Sequence, residues 1–134
     1  MHQILIADDD VDTRTLLARV LADEGYHVAT VEDGDAAVEM VAAASPDLLI
    51  TDLVMPRLTG WSVFSRVRRL APRLPILIIS GASTGTPPDA TALPHQPVFL
   101  RKPVAMGEVL TTVARLLAER PTGSAPGEST LVTL

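Results

Sequence analysis

The chain has no cysteine, which excludes disulfide staples and thiolate metal sites. Aromatic residues are scarce: one tryptophan, one tyrosine and two phenylalanines. A core must therefore come from Leu, Val, Ile and Ala, and these are plentiful, since 47% of residues are hydrophobic. No apolar stretch approaches the ~20 residues that a membrane-spanning helix needs. Basic charge is short as well. The formal net charge is -5, which argues against non-specific nucleic-acid binding. Lysine is almost missing: ten arginines stand against one lysine, Lys102. Met1 runs straight into an apolar stretch, with no charged leader and no cleavage site. Together with the missing cysteines this gives the expectation of a cytoplasmic protein. At 134 residues, one domain is expected.

What is present is a set of four short apolar runs, each ending in a chemically pointed residue. Ile4-Leu5-Ile6-Ala7 runs into Asp8-Asp9-Asp10, and Leu48-Leu49-Ile50-Thr51 into Asp52. Ile76-Leu77-Ile78-Ile79 runs into Ser80-Gly81, and Val98-Phe99-Leu100-Arg101 into Lys102-Pro103. If the runs are parallel strands, their ends share one edge of one sheet. Carboxylates, a hydroxyl and an ammonium then line one crevice.

The stretches between the runs read as helices. Asp12 is placed as the N-cap of a helix over about 13–24, with Leu16, Leu17, Val20 and Leu21 on its apolar face and Gly25 just past its end. Residues 26–31 alternate like a more exposed strand, and Glu32-Asp33-Gly34 reads as a turn. An Ala-rich helix over 35–44 ends at Ser45-Pro46. A helix over 60–71 carries Val63, Phe64, Val67 and Leu70 inward, and a closing helix over 105–119 carries Val109, Leu110, Val113, Leu116 and Leu117. Continuous apolar runs alternating with amphipathic helices predict an α/β fold with a parallel sheet covered on both faces. Right-handed crossovers favour a flavodoxin-like, doubly wound five-stranded sheet in the order 2-1-3-4-5. In such a sheet the ligand crevice lies at the switch point between the first and third strands. A fourth helix is due within 82–97, but four prolines and a glycine there predict a short or irregular element. Residues 1–120 form the expected domain. The Pro, Gly, Ser and Thr of 121–134 read as a disordered tail or linker.

The crevice suits a divalent metal and a phosphoryl group. Mg²⁺ takes hard oxygen ligands and needs only one or two carboxylates beside phosphate oxygens and water. Asp9 and Asp52 are placed as direct ligands, Asp8 as a ligand through water or from behind, and the Val54 carbonyl as a further donor. Asp10 and Asp12 belong to the start of the helix, where acids are favoured. Asp52 is the candidate nucleophile, since carboxylates attack phosphorus to give acyl phosphates. Lys102 and Ser80 are placed on the phosphoryl oxygens. Arg14 and Arg19 read as solvated arginines of the first helix, with partner docking as the alternative.

These four segments, in this order and spacing, resemble the response regulator receiver family, the CheY-like domains of two-component systems. The resemblance rests on ILIADDD, DLLITDLVMPRLTG, ILIISG and FLRKP, and covers about residues 2–120. It implies that Asp52 is the phosphoacceptor, that Asp8 and Asp9 are the Mg²⁺-binding acidic pair, and that Ser80 is the switch hydroxyl. It also implies that Lys102 is the family lysine, that Phe99 sits at the switch aromatic position, and that the Lys102–Pro103 bond is cis. The implied reaction is phosphoryl transfer from a histidine kinase or phosphotransfer protein, read out by an unknown downstream protein. That is a switch and not a turnover enzyme. Three departures stand out. The proline-rich 82–97 puts the usual output surface in doubt, and Phe99 lacks a tyrosine hydroxyl. Val54 and Ala82 cannot orient a hydrolytic water, so self-dephosphorylation is expected to be slow. Two rival readings exist. A degenerate receiver would bind a protein partner without phosphorylation. A haloacid dehalogenase-type phosphatase would need its nucleophile at the end of the first strand. No output domain follows residue 120, so a stand-alone receiver and a fragment of a larger regulator are both consistent with the chain.

Overall fold

The computed structural model describes residues 2–52, 60–81 and 98–119, with residues 60, 61, 80 and 119 in backbone only. Strands β1 (Gln3–Ala7), β2 (His27–Val31), β3 (Leu48–Thr51), β4 (Ile76–Ser80) and β5 (Val98–Arg101) form one parallel sheet in the order β2-β1-β3-β4-β5. Helices α1 (Val11–Asp23), α2 (Gly34–Ala44), α3 (Gly60–Leu70) and α4 (Met106–Glu119) alternate with them. The predicted order is the observed one. The segment 82–97 lies outside the described residues, as do 53–59 and 120–134; the expectations for the fourth helix, for Val54, Ala82 and the Met55-Pro56 loop, and for the tail fall there. No helix among the described residues is long and apolar enough to cross a membrane.

The interior strands β1, β3 and β4 are mostly apolar because both faces of the sheet are covered there. Successive side chains of a strand point to opposite faces, so each run divides between two cores. Leu5, Ala7, Leu49, Ile76 and Ile78 pack with Ala37 and Val41 of α2 and with Val63, Phe64 and Val67 of α3. Ile4, Ile6, Leu48, Ile50, Leu77 and Ile79 pack with Leu17 and Leu21 of α1 and with Val109, Val113 and Leu117 of α4. The edge strand β2 is partly exposed along its length, as its alternation predicts.

The helix ends follow local chemistry, with one correction. Asp10, not Asp12, is the N-cap of α1: its carboxylate accepts from the Asp12 backbone N–H and from the Thr13 hydroxyl. That hydroxyl holds the exposed Asp10 carboxyl below the usual carboxylate range. Gly25 follows α1 with φ +98°, a left-handed conformation that costs a glycine little. Asp33 caps α2 by accepting from the Ala36 N–H, and Ser45 ends α2 in the left-handed region at φ 48° just before Pro46. Two predicted core residues are not core. Leu16 is 48% exposed and Leu70 50% exposed. Leu16 lies next to buried Leu17 but round the side of its helix, and Leu70 is the last residue of α3, at the margin of the stripe that Val63, Phe64 and Val67 form.

The C-terminal end of α3 is held by a buried arginine. Arg68 donates through Nη1 to the carbonyls of Ala71, Pro72 and Leu74, at 3.2, 3.2 and 2.6 Å. Its guanidinium lies 5.1 Å from the centre of the Phe64 ring. Burial holds its pKa below the ordinary arginine value. Among the described residues its Nε and Nη2 have no hydrogen-bond partner.

Candidate functional site

The parallel register carries the ends of three strands to one place. β1 pairs with β3 so that Ala7 stands opposite Thr51, and the next residues are Asp8 and Asp52. The Asp52 N–H donates to the Ala7 carbonyl, which continues the ladder one step past β3. Asp8 does likewise on the other side, donating to the Val31 carbonyl of β2. The β4–β5 register sets Ser80 opposite Arg101, so the following Lys102 emerges at the same edge. A β-carbon placed on Gly81 would lie 3.7 Å from that of Lys102, so these two residues pack side by side. The Lys102–Pro103 peptide bond is cis.

Lys102 closes the cluster. Its Nζ donates to Asp52 Oδ2 at 2.9 Å and to Asp8 Oδ2 at 3.4 Å. The other oxygen of Asp8 accepts from the Asp10 N–H at 2.9 Å. One carboxylate oxygen from each of Asp8, Asp9 and Asp52 lies within 4.8 Å of the others. Asp8 and Asp52 are buried and Asp9 is exposed, so the cluster is rooted in the sheet and open to solvent on one side. With all groups ionised, three carboxylates face one ammonium, leaving two negative charges uncompensated. That is the charge of a divalent cation, and hard carboxylate oxygens are the donors Mg²⁺ takes. The described residues therefore fit such an ion.

Burial raises the Asp8 carboxyl above the usual range, and the nearby Asp52 charge adds to this; the Asp10 N–H and Lys102 oppose it without cancelling it. For Lys102, burial alone would lower the ammonium, but its hydrogen bond to Asp52 and the charges of Asp52 and Asp8 outweigh that and raise it. Lys102 thus stabilises the fold below the ordinary lysine range for as long as its carboxylate partners stay ionised, and that contribution fades as pH rises through its raised value. For Asp8 the sign is unfavourable at neutral pH. A raised folded-state pKa gives stability below the ordinary carboxylate value that is lost as pH rises through the raised one. Replacing Asp8 with Asn keeps an oxygen for the Asp10 N–H and removes the buried charge. In metal-free buffer at neutral pH, Asp8→Asn is expected to melt at a higher temperature than the parent chain. The gap should narrow as acid protonates Asp8 in the parent. A variant that melts lower at neutral pH would contradict this account of the cluster.

The structure brings together Asp8, Asp9, Asp52 and Lys102 of the residues singled out from sequence. Ser80 ends β4 at the same edge, described in backbone only. Phe99 is 46% exposed on β5, so its ring is not turned into the core in this state. Val54 lies outside the described residues. Arg14, read from sequence as a solvated arginine, is not one. It is half-buried, and its Nη1 donates to the Asp8 backbone carbonyl at 2.8 Å. Its position six residues after Asp8, on the first turns of a helix that starts beside the cluster, was the available signal. Arg19 is exposed, as expected.

A doubly wound 2-1-3-4-5 sheet with an acidic cluster and a lysine at its carboxyl edge defines a class of flavodoxin-like α/β domains. Comparison with known proteins narrows it. The family model for the response regulator receiver domain matches residues 4–114. The response regulator MprA of Mycolicibacterium vanbaalenii is 33% identical over 131 residues, covering 98% of this chain and 57% of that protein. The response regulator receiver protein CpdR of Brucella abortus is 34% identical over 118 residues, covering 87% of this chain and 98% of that one. The chemotaxis response regulator CheY4 of Vibrio cholerae superimposes with a TM-score of 0.76 at 28% identity, over 87% of this chain and 98% of that one. The chain belongs to the response regulator receiver family of two-component systems. It spans little more than half the length of the MprA relative.

Proposed function

We propose that this receiver is a phosphorylation-dependent switch that accepts a phosphoryl group on Asp52 from a histidine kinase or phosphotransfer protein in the cytoplasm. The observation that carries the reading is Lys102 Nζ, which bridges Asp52 and Asp8 at 2.9 and 3.4 Å across strand ends from β1, β3 and β5. An Asp52 oxygen forms a bond to phosphorus while the donor's P–N bond breaks and its electron pair leaves with the imidazole. Lys102 follows the negative charge from the carboxylate to a phosphoryl oxygen, and the Ser80 hydroxyl meets another. Asp8, Asp9, Asp52 and the Val54 carbonyl would hold Mg²⁺, which when bound neutralises charge on the transferring group. On this reading the chain acts on its own phosphorylation state and passes the change to a protein partner.

Incubation with radiolabelled acetyl phosphate tests this. One phosphoryl group per chain is expected, only with Mg²⁺ present, and neutral hydroxylamine should release it, as it does acyl phosphates. No incorporation with Mg²⁺ would sink the proposal in favour of a receiver that binds its partner without phosphorylation. Steady hydrolysis of acetyl phosphate without stable label would favour a phosphatase.

A further inference from the structure

We infer that Arg14 is a positioning residue for the cation site, acting through the peptide that joins Asp8 to Asp9; the inference rests on the proposed Mg²⁺ role of those residues. The polar groups of Asp8 are held on every side. Its N–H donates to Val31 of β2 at 3.2 Å. One carboxylate oxygen takes the Asp10 N–H at 2.9 Å and the other faces Lys102 at 3.4 Å. The remaining group, the backbone carbonyl, takes Arg14 Nη1 at 2.8 Å. A peptide unit is planar. Fixing the Asp8 carbonyl therefore fixes the plane from which the Asp9 Cα, and hence its carboxylate, departs.

Asp9 needs this help more than its neighbours. Asp8 is anchored by β2 and Lys102, and Asp52 by the Ala7 carbonyl and Lys102. Asp9 is exposed, and it lies where the chain leaves β1 and has not yet entered α1. It must still keep an oxygen within 4.8 Å of the other two. Arg14 ties this loop to the first turns of α1, whose Leu17 and Leu21 are locked into the core. A guanidinium keeps its charge at all working pH values, and its hydrogen bond to a carbonyl is of the stronger, charge-assisted kind.

Calorimetric titration of the full chain with Mg²⁺ tests this, together with metal-free melting curves. Arg14→Met keeps the aliphatic stem and removes the donor. It is expected to weaken Mg²⁺ binding by about tenfold or more, the usual effect of losing a group that orients a metal ligand. Arg14→Lys, which returns a single cationic donor, should recover part of the affinity. Arg19→Met removes the same charge from the exposed side of the same helix and should bind Mg²⁺ like the parent chain. In acetyl phosphate labelling, Arg14→Met should need about tenfold more Mg²⁺ for half-maximal rate yet approach the parent rate at saturating Mg²⁺. Parent-like Mg²⁺ affinity in Arg14→Met overturns the role of Arg14 alone. Equal weakening in Arg14→Met and Arg19→Met also overturns it, by showing an effect of net charge only. Affinity lost in both Arg14 variants in step with a collapsed melting temperature overturns it in favour of a purely structural residue. A parent chain that binds no Mg²⁺ overturns the inference together with the reading of the site beneath it.

Discussion

Replacing Asp52 with Asn is expected to abolish phosphoryl uptake from acetyl phosphate, a loss on the order of 10³-fold or more, as removal of a nucleophile gives elsewhere. The substitution conserves shape and changes one property: an amide oxygen does not form an acyl phosphate. Asp52 is 8% exposed and hydrogen-bonded to Lys102 at 2.9 Å. The variant loses that charge pair, but Lys102 keeps Asp8 at 3.4 Å, so the ammonium is not stranded. The fold should survive, and a melting curve should show it. Asp8 and Asp9 lie close enough to be rival acceptors. Asp8 is already engaged through both oxygens, and Asp9 is the exposed member of the group. Label that persists in Asp52→Asn with undiminished Mg²⁺ dependence would move the phosphoacceptor off Asp52.

The second large effect concerns stability. Phe64→Ala is expected to cost about 3–5 kcal/mol, the usual penalty for emptying an aromatic site in a core. Phe64 is 1% exposed and packs among residues of β1, β3, β4 and α2. Its ring also faces the Arg68 guanidinium, which is buried and pairs with carbonyls alone among the described hydrogen bonds. A cation over a desolvated ring contributes about 2 kcal/mol, so removing the ring should place the cost toward the upper part of the range. Against a total stability of about 5–15 kcal/mol, that is a large share. Urea denaturation measures it. Leu70→Ala on the same helix provides the contrast. Leu70 is half-exposed, and its loss should shift stability by no more than about 0.5 kcal/mol. Equal costs at the two positions would mean that α3 is rotated from the orientation described here.

Most of the fold was legible because a parallel sheet buried on both faces writes itself as uninterrupted apolar runs. β1, β3, β4 and β5 match the predicted runs to within a residue, and the polar residue after each run marks the sheet edge. The cluster was legible for the same reason: Asp8, Asp52 and Lys102 stand one residue past their strands, and parallel register makes that position shared. Periodicity could not say where the buried stripe of a helix stops. Leu16 and Leu17 are both apolar, and only packing decides that Leu17 faces β4 and α4 while Leu16 meets solvent. Cap choice was hidden as well. Asp10 and Asp12 carry the same carboxylate, and the choice fell to Asp10 because the Thr13 hydroxyl and the Asp12 N–H lie within its reach. Arg14 was legible only by position: a side chain that binds a backbone carbonyl leaves no complementary residue in the sequence, so its place at the start of α1 was the one signal.

The cluster also has an order of assembly. Asp8 and Lys102 are 94 residues apart in the chain, and Asp52 and Lys102 are 50 apart. In chain order the first three strands, and with them all three carboxylates, precede β5 and its lysine. Until the last strand docks on β4, those charges face one another without their ammonium. Long-range pairings of this kind form late and slowly. Docking of β5 relieves that repulsion by bringing Lys102 to Asp8 and Asp52. On the proposed reading, a chain without β5 carries the acids but lacks their ammonium, so competence as a switch requires the finished sheet.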